Sequence, residues 1–152
     1  MKLSKFCAED LVVFDLKADT KQGAIEEMVD LVSTSSIVLD RDKLLKDVLS
    51  REELVTTGVG FGVAFPHAKT RAVKGIVIAF GRSAKGIDFD AMDDRPVSLL
   101  FLIAAPEDAI GAHLQVMGRL SFLMKYETNR QRLMEITSPG EVLAMLDEPA
   151  QG

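Results

Sequence analysis

The spacing of apolar residues in the first third of the chain predicts one strand followed by two helices. Residues 11–16 are apolar at five of six positions, which favours a strand. Asp19 or Thr20 then stands where a helix N-cap is expected, and Asp40 can cap a second helix that runs toward Glu53. The apolar stripes of these helices are Ile25, Met28, Val29 and Val32 in the first, and Leu44, Leu45, Val48 and Leu49 in the second.

The middle of the chain changes from helical spacing to short apolar runs that are typical of strands. We expect strands over 61–65 and 75–80, the second ended by Gly81, and a third over 97–105. The third is apolar at nearly every position, as expected for a strand buried on both faces. The polar, turn-rich segment 88–96 connects the last two strands.

Beyond Pro106 the spacing returns to that of helices. We expect a long helix over 110–125, a short one over 127–136, and a last one opened by the capping-box spacing of 138–141. Gly118 inside the long helix predicts close packing, because glycine weakens a helix by about 1 kcal/mol relative to alanine. This order of elements predicts an α/β layered domain with a mixed sheet. The residues of the long helix expected to face the core are Leu114, Met117, Leu120 and Met124.

Length and composition narrow the class of protein. The 152 residues are 47% hydrophobic and 27% charged, which is typical of one globular domain, 1–152, with 148–152 as a frayed tail. A net charge of −5 gives no reason to expect nucleic-acid binding. No apolar run is long enough to cross a membrane, and the N-terminus lacks a signal-peptide core, so we expect a cytoplasmic protein without membrane insertion. One cysteine, Cys7, excludes an internal disulfide and has no role assignable from sequence.

The most chemically suggestive segment is 58–67, in which three alternating glycines lead through apolar residues to Pro66 and His67. Glycine allows backbone or ligand to approach closely, and Pro66 fixes φ just before the histidine. An imidazole held in this way suits a general base, a metal ligand or a phosphoryl acceptor. The glycine spacing differs from the dinucleotide fingerprint, and no Walker lysine follows. From this segment alone, a hydrogen-bonded surface histidine is an equally good interpretation.

Three segments stand in order along the chain: Arg-Glu-Glu-Leu-Val-Thr-Thr-Gly over 51–58, Pro-His-Ala over 66–68, and Ala-His-Leu over 112–114, which follows Leu-Ile-Ala-Ala-Pro. In this order they resemble the enzyme IIA component (EIIA) of the fructose/mannitol class of the bacterial phosphoenolpyruvate-dependent sugar phosphotransferase system (PTS). That class includes the nitrogen-regulatory IIA proteins. The resemblance extends over a core of about 11–146 and implies a three-layer α/β/α sandwich with a mixed sheet.

The resemblance also implies a reaction. His67 would accept a phosphoryl group at Nε2 from the phosphorylated histidine-containing carrier protein, and pass it to a second acceptor, usually an enzyme IIB domain (EIIB). Phe65 departs from the family, which usually has an aliphatic residue there. No EIIB or EIIC domain is attached, so we expect chiefly a regulatory role, with a regulated target protein as partner. The alternatives are a sugar-specific EIIA that donates to a separate EIIB, and a non-catalytic regulatory interaction module.

Within this interpretation, Arg51 and His113 are the expected supports for the phosphoryl group. Arg51 offers a planar fork of donors that suits phosphate. His113 stands in the first turn of a helix, where its ring and the free backbone N–H groups favour an anion. Their alternative interpretations are a solvated arginine and a helix-cap histidine. Thr57 and Gly58 are weaker candidates, because loop geometry explains them equally well.

Other kinds of site are poorly supported by the sequence. A metal-dependent hydrolase using His67 and His113 would lack its remaining ligands. The acidic segment 88–94 lacks the glycine and glutamate placements of a calcium loop, and is interpreted as a solvated turn. We therefore expect no cofactor and no metal, and a transferase component rather than a stand-alone enzyme. The sugar, the downstream partner and the oligomeric state are open.

Overall fold

The described residues, 1–149, of this computed structural model form six strands and five α-helices. Two short 3-10 turns, Leu3–Phe6 and Glu9–Leu11, precede them. Most of the predicted frayed tail, 150–152, lies outside the described residues. The strands are β1 (Val12–Val13), β2 (Gly58–Gly60), β3 (Val63–Ala64), β4 (His67–Lys69), β5 (Val77–Ile87) and β6 (Val97–Ala105). The helices are α1 (Lys21–Val32), α2 (Arg41–Leu54), α3 (Ile110–Met124), α4 (Glu127–Glu135) and α5 (Pro139–Leu146).

The two N-terminal helices match their predictions closely. The Thr20 hydroxyl accepts a hydrogen bond from the Gly23 N–H at 3.1 Å, which caps α1. The Asp40 carboxylate accepts one from the Lys43 N–H at 3.1 Å, which caps α2. The predicted stripe of α1 is fully buried, and that of α2 is buried or partly buried. No helix of 1–149 is long and apolar enough to span a membrane.

The strands form one mixed sheet in the order β1-β5-β6-β3-β2, with β4 beside β6 beyond the end of β3. β1 pairs with β5 in parallel, and β3 and β4 both pair with β6 in parallel. The pairs β5–β6 and β2–β3 are antiparallel. β6 is buried at all positions except Ser98, as its apolar pattern predicts.

Helices cover both faces of this sheet, which gives the three-layer α/β/α sandwich that the resemblance implies. Successive residues of β5 point to opposite faces. Gly81 faces α1, because a Cβ atom there would meet Met28 Sδ at 2.5 Å. Arg82 faces α4, where its guanidinium donates hydrogen bonds to the carbonyls of Leu133 and Ile136 at 2.9 and 2.6 Å.

The strand predictions are wrong at several ends. The predicted strand 61–65 begins too early, because Gly60, Phe61 and Gly62 form a turn with φ values of 107°, 58° and 78°. This turn joins β2 to β3 as a hairpin. The prediction that Gly81 ends a strand is also wrong, because β5 continues to Ile87. Gly81 allows α1 to pack closely against β5 and does not end the strand. The first strand is shorter than predicted, at two residues.

The three C-terminal helices lie where predicted, and of the α3 residues expected in the core Leu120 and Met124 are buried and Met117 is partly buried against it. Leu114, expected in the core, is 65% exposed, and a Cβ atom on Gly118 would have no neighbour within 4 Å. The predicted close packing at Gly118 is therefore wrong. At α5, Ser138 is the N-cap as predicted, but its side chain makes no capping hydrogen bond. The buried residues of α3 are His113, Val116, Leu120, Leu123 and Met124.

Candidate functional site

Three segments that are distant in sequence meet beside β4. His67 is the first residue of β4, Arg51 lies in the last turn of α2, and His113 lies in the first turn of α3. The chain leaves β6, the partner strand of β4, and enters α3 directly after a short turn. The ring centroids of the two histidines are consequently 5.4 Å apart. All three side chains line one cleft of about 700 Å³, together with Asp47, Ser50, Leu54, Ala68, Lys69, Leu114 and Met117.

The imidazole of His67 is held in one orientation and one tautomer. Its Nδ1 lies 2.8 Å from the carbonyl oxygen of Phe65. A carbonyl oxygen only accepts hydrogen bonds, so Nδ1 carries the proton and the lone pair is on Nε2. The neighbouring Pro66 is anchored as well, because its carbonyl accepts a hydrogen bond from the Ile103 N–H at 3.1 Å. The nucleophilic nitrogen of the ring is therefore Nε2.

The surroundings of His67 favour its neutral form. Burial lowers its pKa below the ordinary 6.5, and the positive charges of Arg51 and Lys69 lower it further. The hydrogen bond to Phe65 and the negative charge of Glu52 act in the opposite direction, and the net effect is a lowered pKa. At neutral pH the ring is thus uncharged, and its Nε2 lone pair is available.

His113 is also a neutral imidazole. It is 5% exposed, and burial together with the positive charges of His67 and Lys69 lowers its pKa to about 4. Its Nδ1 is buried and has no hydrogen-bond partner within residues 1–149. Because His113 lines the cleft, Nε2 is the ring atom available to a group placed between the two histidines. The neutral ring offers an N–H donor there when Nε2 carries the proton.

Arg51 contributes charge to the cleft and forms no hydrogen bond with either histidine. Its Nη1 donates a hydrogen bond to the carbonyl of Val55 at 2.9 Å, which folds the side chain over the end of α2. The other guanidinium N–H groups are available to an anion. Lys69 lines the same cleft. Arg71 instead pairs with Glu107 at 3.1 Å on the surface.

The structure does not bring Thr57 and Gly58 into the cleft. The Thr57 N–H and hydroxyl both donate hydrogen bonds to the Glu52 carboxylate, at 2.7 and 2.5 Å. The Gly58 N–H donates to the Thr56 hydroxyl at 3.1 Å. These donors are occupied, so the weaker candidates are wrong as cleft donors. In the acidic turn, the Asp93 carboxylate accepts hydrogen bonds from the backbone. Across 1–149, no three His, Cys, Asp or Glu side chains are grouped so as to hold a metal ion.

Comparison with known proteins decides the family. Residues 5–148 match the family model described as "Phosphoenolpyruvate-dependent sugar phosphotransferase system, EIIA 2". The chain belongs to this EIIA family. The family resemblance inferred from the three ordered segments is confirmed, and so is the predicted fold. The family consists of phosphocarriers, with both sugar-specific and nitrogen-regulatory members.

Individual relatives of this EIIA protein are of both kinds. It is 46% identical over 139 residues to the PTS system fructose-specific EIIA component of Haloferax volcanii, a match that covers 91% of this chain and 90% of that one. The nitrogen regulatory protein IIA-Ntr of Neisseria meningitidis has a TM-score of 0.88 at 34% identity, with 95% and 98% of the two chains covered. Escherichia coli mannitol IIA, solved in complex with phosphorylated mannitol IIB, has a TM-score of 0.77 at 28% identity, covering 91% and 94%.

Proposed function

We propose that the acceptor atom of this EIIA phosphocarrier is Nε2 of His67, and that Arg51 and His113 support the transfer. The donor in this proposal is the phosphorylated histidine-containing carrier protein. The observation that carries the proposal is the 2.8 Å hydrogen bond from Nδ1 to the Phe65 carbonyl, which leaves the Nε2 lone pair free. The lowered pKa of His67 adds to this, because only a neutral ring has that lone pair.

The transfer step needs no proton relay. A bond forms between Nε2 of His67 and phosphorus, while the bond from phosphorus to the donor histidine nitrogen breaks. The proton on Nδ1 stays in place, and the Phe65 carbonyl stabilises the positive charge that the ring gains. Positioning and charge neutralisation are then the main requirements for phosphoryl transfer.

The cleft supplies both requirements. Arg51 and Lys69 provide positive charge beside the position of a phosphoryl group on Nε2. The neutral ring of His113 provides an N–H donor at close range, with ring centroids 5.4 Å apart. A phosphoryl dianion on Nε2 of His67 would accept the hydrogen bond from Nε2–H of His113. We therefore assign charge stabilisation to Arg51 and hydrogen-bond donation to His113.

Phosphorylation in a reconstituted relay tests this assignment. With phosphoenolpyruvate, enzyme I and the carrier protein, the wild type should give an acid-labile, base-stable phosphoprotein. The His67→Ala variant should remain unlabelled while its circular dichroism spectrum and thermal unfolding stay close to those of the wild type. Labelling of a folded His67→Ala variant to the wild-type level would contradict the assignment.

The destination of the phosphoryl group is the second part of the proposal, and two candidates have separate support. The 46% identity to a fructose-specific EIIA component and the solved mannitol IIA–IIB complex support transfer to a separate EIIB domain. The similarity to IIA-Ntr, at a TM-score of 0.88, supports a phosphorylation-dependent regulatory target. The length of this chain does not separate them, because it covers 90% of the sugar-specific relative. The preference for regulation stays a prediction.

Two assays separate the destinations. The phosphoprotein is mixed with a purified fructose-class EIIB, and loss of label from His67 is followed with time. In parallel, phosphorylated protein and the unphosphorylatable His67→Ala variant are used to capture partners. Stoichiometric transfer to EIIB supports the sugar-specific candidate. A partner retained by only one of the two forms supports regulation. The proposal treats 1–152 as a single domain. It also places the protein in the cytoplasm, which cell fractionation tests.

A further inference from the structure

A buried carboxylate lies behind the acceptor histidine and has no part in the transfer step described above. Glu52 is 6% exposed, although it is next to the cleft residue Arg51 in the last turn of α2. Successive helical residues point about 100° apart, so one side chain faces the cleft while the other faces inward. A buried carboxylate is costly unless its oxygens are bonded, so the partners of Glu52 indicate what it does.

Both oxygens of Glu52 bind Thr57, directly before β2. Oε2 accepts a hydrogen bond from the Thr57 N–H at 2.7 Å, and Oε1 accepts one from its hydroxyl at 2.5 Å. Lys21 Nζ lies 3.0 Å from Oε2 and balances the charge. The main chain and the side chain of Thr57 are thus fixed by the same carboxylate.

Two further hydrogen bonds connect Thr57 to the acceptor ring. The Thr57 carbonyl accepts a hydrogen bond from the Phe65 N–H at 3.1 Å. The Phe65 carbonyl accepts one from Nδ1–H of His67 at 2.8 Å. The Phe65 carbonyl is the group that selects the tautomer of His67, and its residue is held by Thr57. A shift of Thr57 would therefore move the group on which the free Nε2 lone pair depends.

We propose that Glu52 is a positioning residue that, through Thr57 and Phe65, keeps Nδ1 of His67 protonated and Nε2 free. This inference rests on the proposed function of His67, but it concerns a residue that lies outside the cleft. The charge of Glu52 acts on the ring as well, in the direction opposite to that of Arg51. Arg51 thus acts on the phosphoryl group, whereas its neighbour Glu52 acts on the imidazole of His67.

The first test measures the tautomer directly in unphosphorylated protein. Glu52→Gln removes the charge and replaces one acceptor oxygen by a donor, and Glu53→Gln is the matched control, because Glu53 is exposed and is the next residue of the same helix. The ¹⁵N shifts of the His67 ring at pH 8 report the ratio of Nδ1–H to Nε2–H tautomers. We expect Glu52→Gln to lower this ratio about tenfold, the equivalent of one ordinary hydrogen bond, and Glu53→Gln to leave it unchanged. An unchanged ratio in Glu52→Gln, or an equal fall in both variants, would overturn the proposal.

The second test is kinetic. Glu52→Gln should lower kcat for phosphorylation about tenfold if one hydrogen bond is lost from the transition state. The KM for the carrier protein should stay within about twofold of wild type, because the cleft surface is intact. A rise in KM at unchanged kcat would contradict positioning. The first test involves no phosphoryl group, so the two proposals can fail separately. If Glu52→Gln changes the tautomer ratio but the His67→Ala variant is still phosphorylated, the proposed function is refuted and the positioning role of Glu52 stands.

A second pair of variants keeps the proposal testable if Glu52→Gln does not fold. Thr57→Val removes the hydroxyl that binds Glu52 and keeps the backbone N–H, whereas Thr57→Ser keeps both donors. We expect the altered tautomer ratio and the lower kcat in Thr57→Val, and values near wild type in Thr57→Ser. Equal behaviour of these two folded variants would overturn the link from Glu52 to His67.

Discussion

His113 is expected to make the protein less stable in mild acid. Its pKa is about 4 in the folded protein against 6.5 in the unfolded chain, because burial and the charges of His67 and Lys69 oppose protonation. Between these two values the unfolded chain binds a proton that the folded protein does not. The stability contributed by the neutral ring is therefore present above pH 6.5, is lost as the pH falls below it, and reaches its full loss near pH 4.

The size of this loss follows from the two pKa values. With folded and unfolded pKa values of about 4 and 6.5, one histidine lowers the free energy of unfolding by about 2 kcal/mol at pH 5 relative to pH 7.5. For a chain of this length, that corresponds to a fall of roughly 4–8 °C in the melting temperature. This loss of stability can be separated from the titration of the other groups, because a variant changed only at residue 113 retains those groups.

Urea unfolding followed by circular dichroism at pH 7.5 and pH 5 gives the comparison. His113→Gln keeps a polar side chain at this position and removes the titration. Between the two pH values the wild type should lose about 2 kcal/mol more than the variant, if linkage accounts for the whole difference. Parallel losses in the two proteins would show that His113 is not buried in its neutral form. His113 would then be no neutral hydrogen-bond donor in the cleft.

Three other predictions concern Arg51, the pH dependence of phosphorylation, and two glycines. Arg51→Ala should slow phosphorylation roughly ten- to hundredfold, the equivalent of one charge-assisted contact, and NMR titration should show a higher pKa for His67 because a nearby positive charge is gone. The phosphorylation rate of the wild type should fall in acid with a midpoint below pH 6.5, since protonation removes the Nε2 lone pair at the lowered pKa of His67; a midpoint above 6.5 would contradict this. In chemical denaturation, Gly81→Ala should cost about 1–3 kcal/mol because its Cβ atom would collide with Met28, whereas Gly118→Ala, exposed on α3, should stabilise by about 0.5–1 kcal/mol.

The helices and β6 were predictable because their signals are local. A capping side chain and a 3.6-residue spacing identify α1 and α2 without knowledge of the rest of the fold. The short strands β2, β3 and β4 have two or three residues each. β2 pairs locally with β3, whereas β3 and β4 pair with β6, which is far away in sequence. No periodicity exists over so few residues. Of the predicted core residues of α3, Leu114 was misplaced because hydrophobicity ranks it above His113, whereas the fold buries the histidine and exposes the leucine.

The three candidate site residues came from the order of motifs, and the structure places all three in one cleft. What the sequence could not supply is how the cleft is supported. Glu52 was visible only as the neighbour of Arg51, and its link to His67 passes through Thr57, just before β2, and Phe65, just after β3. The available sequence signal for Glu52 was its place beside an arginine at a helix end, since adjacent helical side chains point in different directions. The partners of Glu52 could not be predicted, because they depend on tertiary contacts.

The pairing of β4 also sets the order in which this protein can become functional during synthesis. Of the described strands, β4 pairs only with β6, which begins at Val97, and α3 with His113 follows later still. When His67 leaves the ribosome, the strand that will hold it has not yet emerged. A nascent chain halted before residue 97 therefore carries a loose imidazole without its supporting strand or its companion ring. Long-range parallel pairing of this kind is slow to form, so the acceptor becomes competent only when most of the polypeptide has emerged.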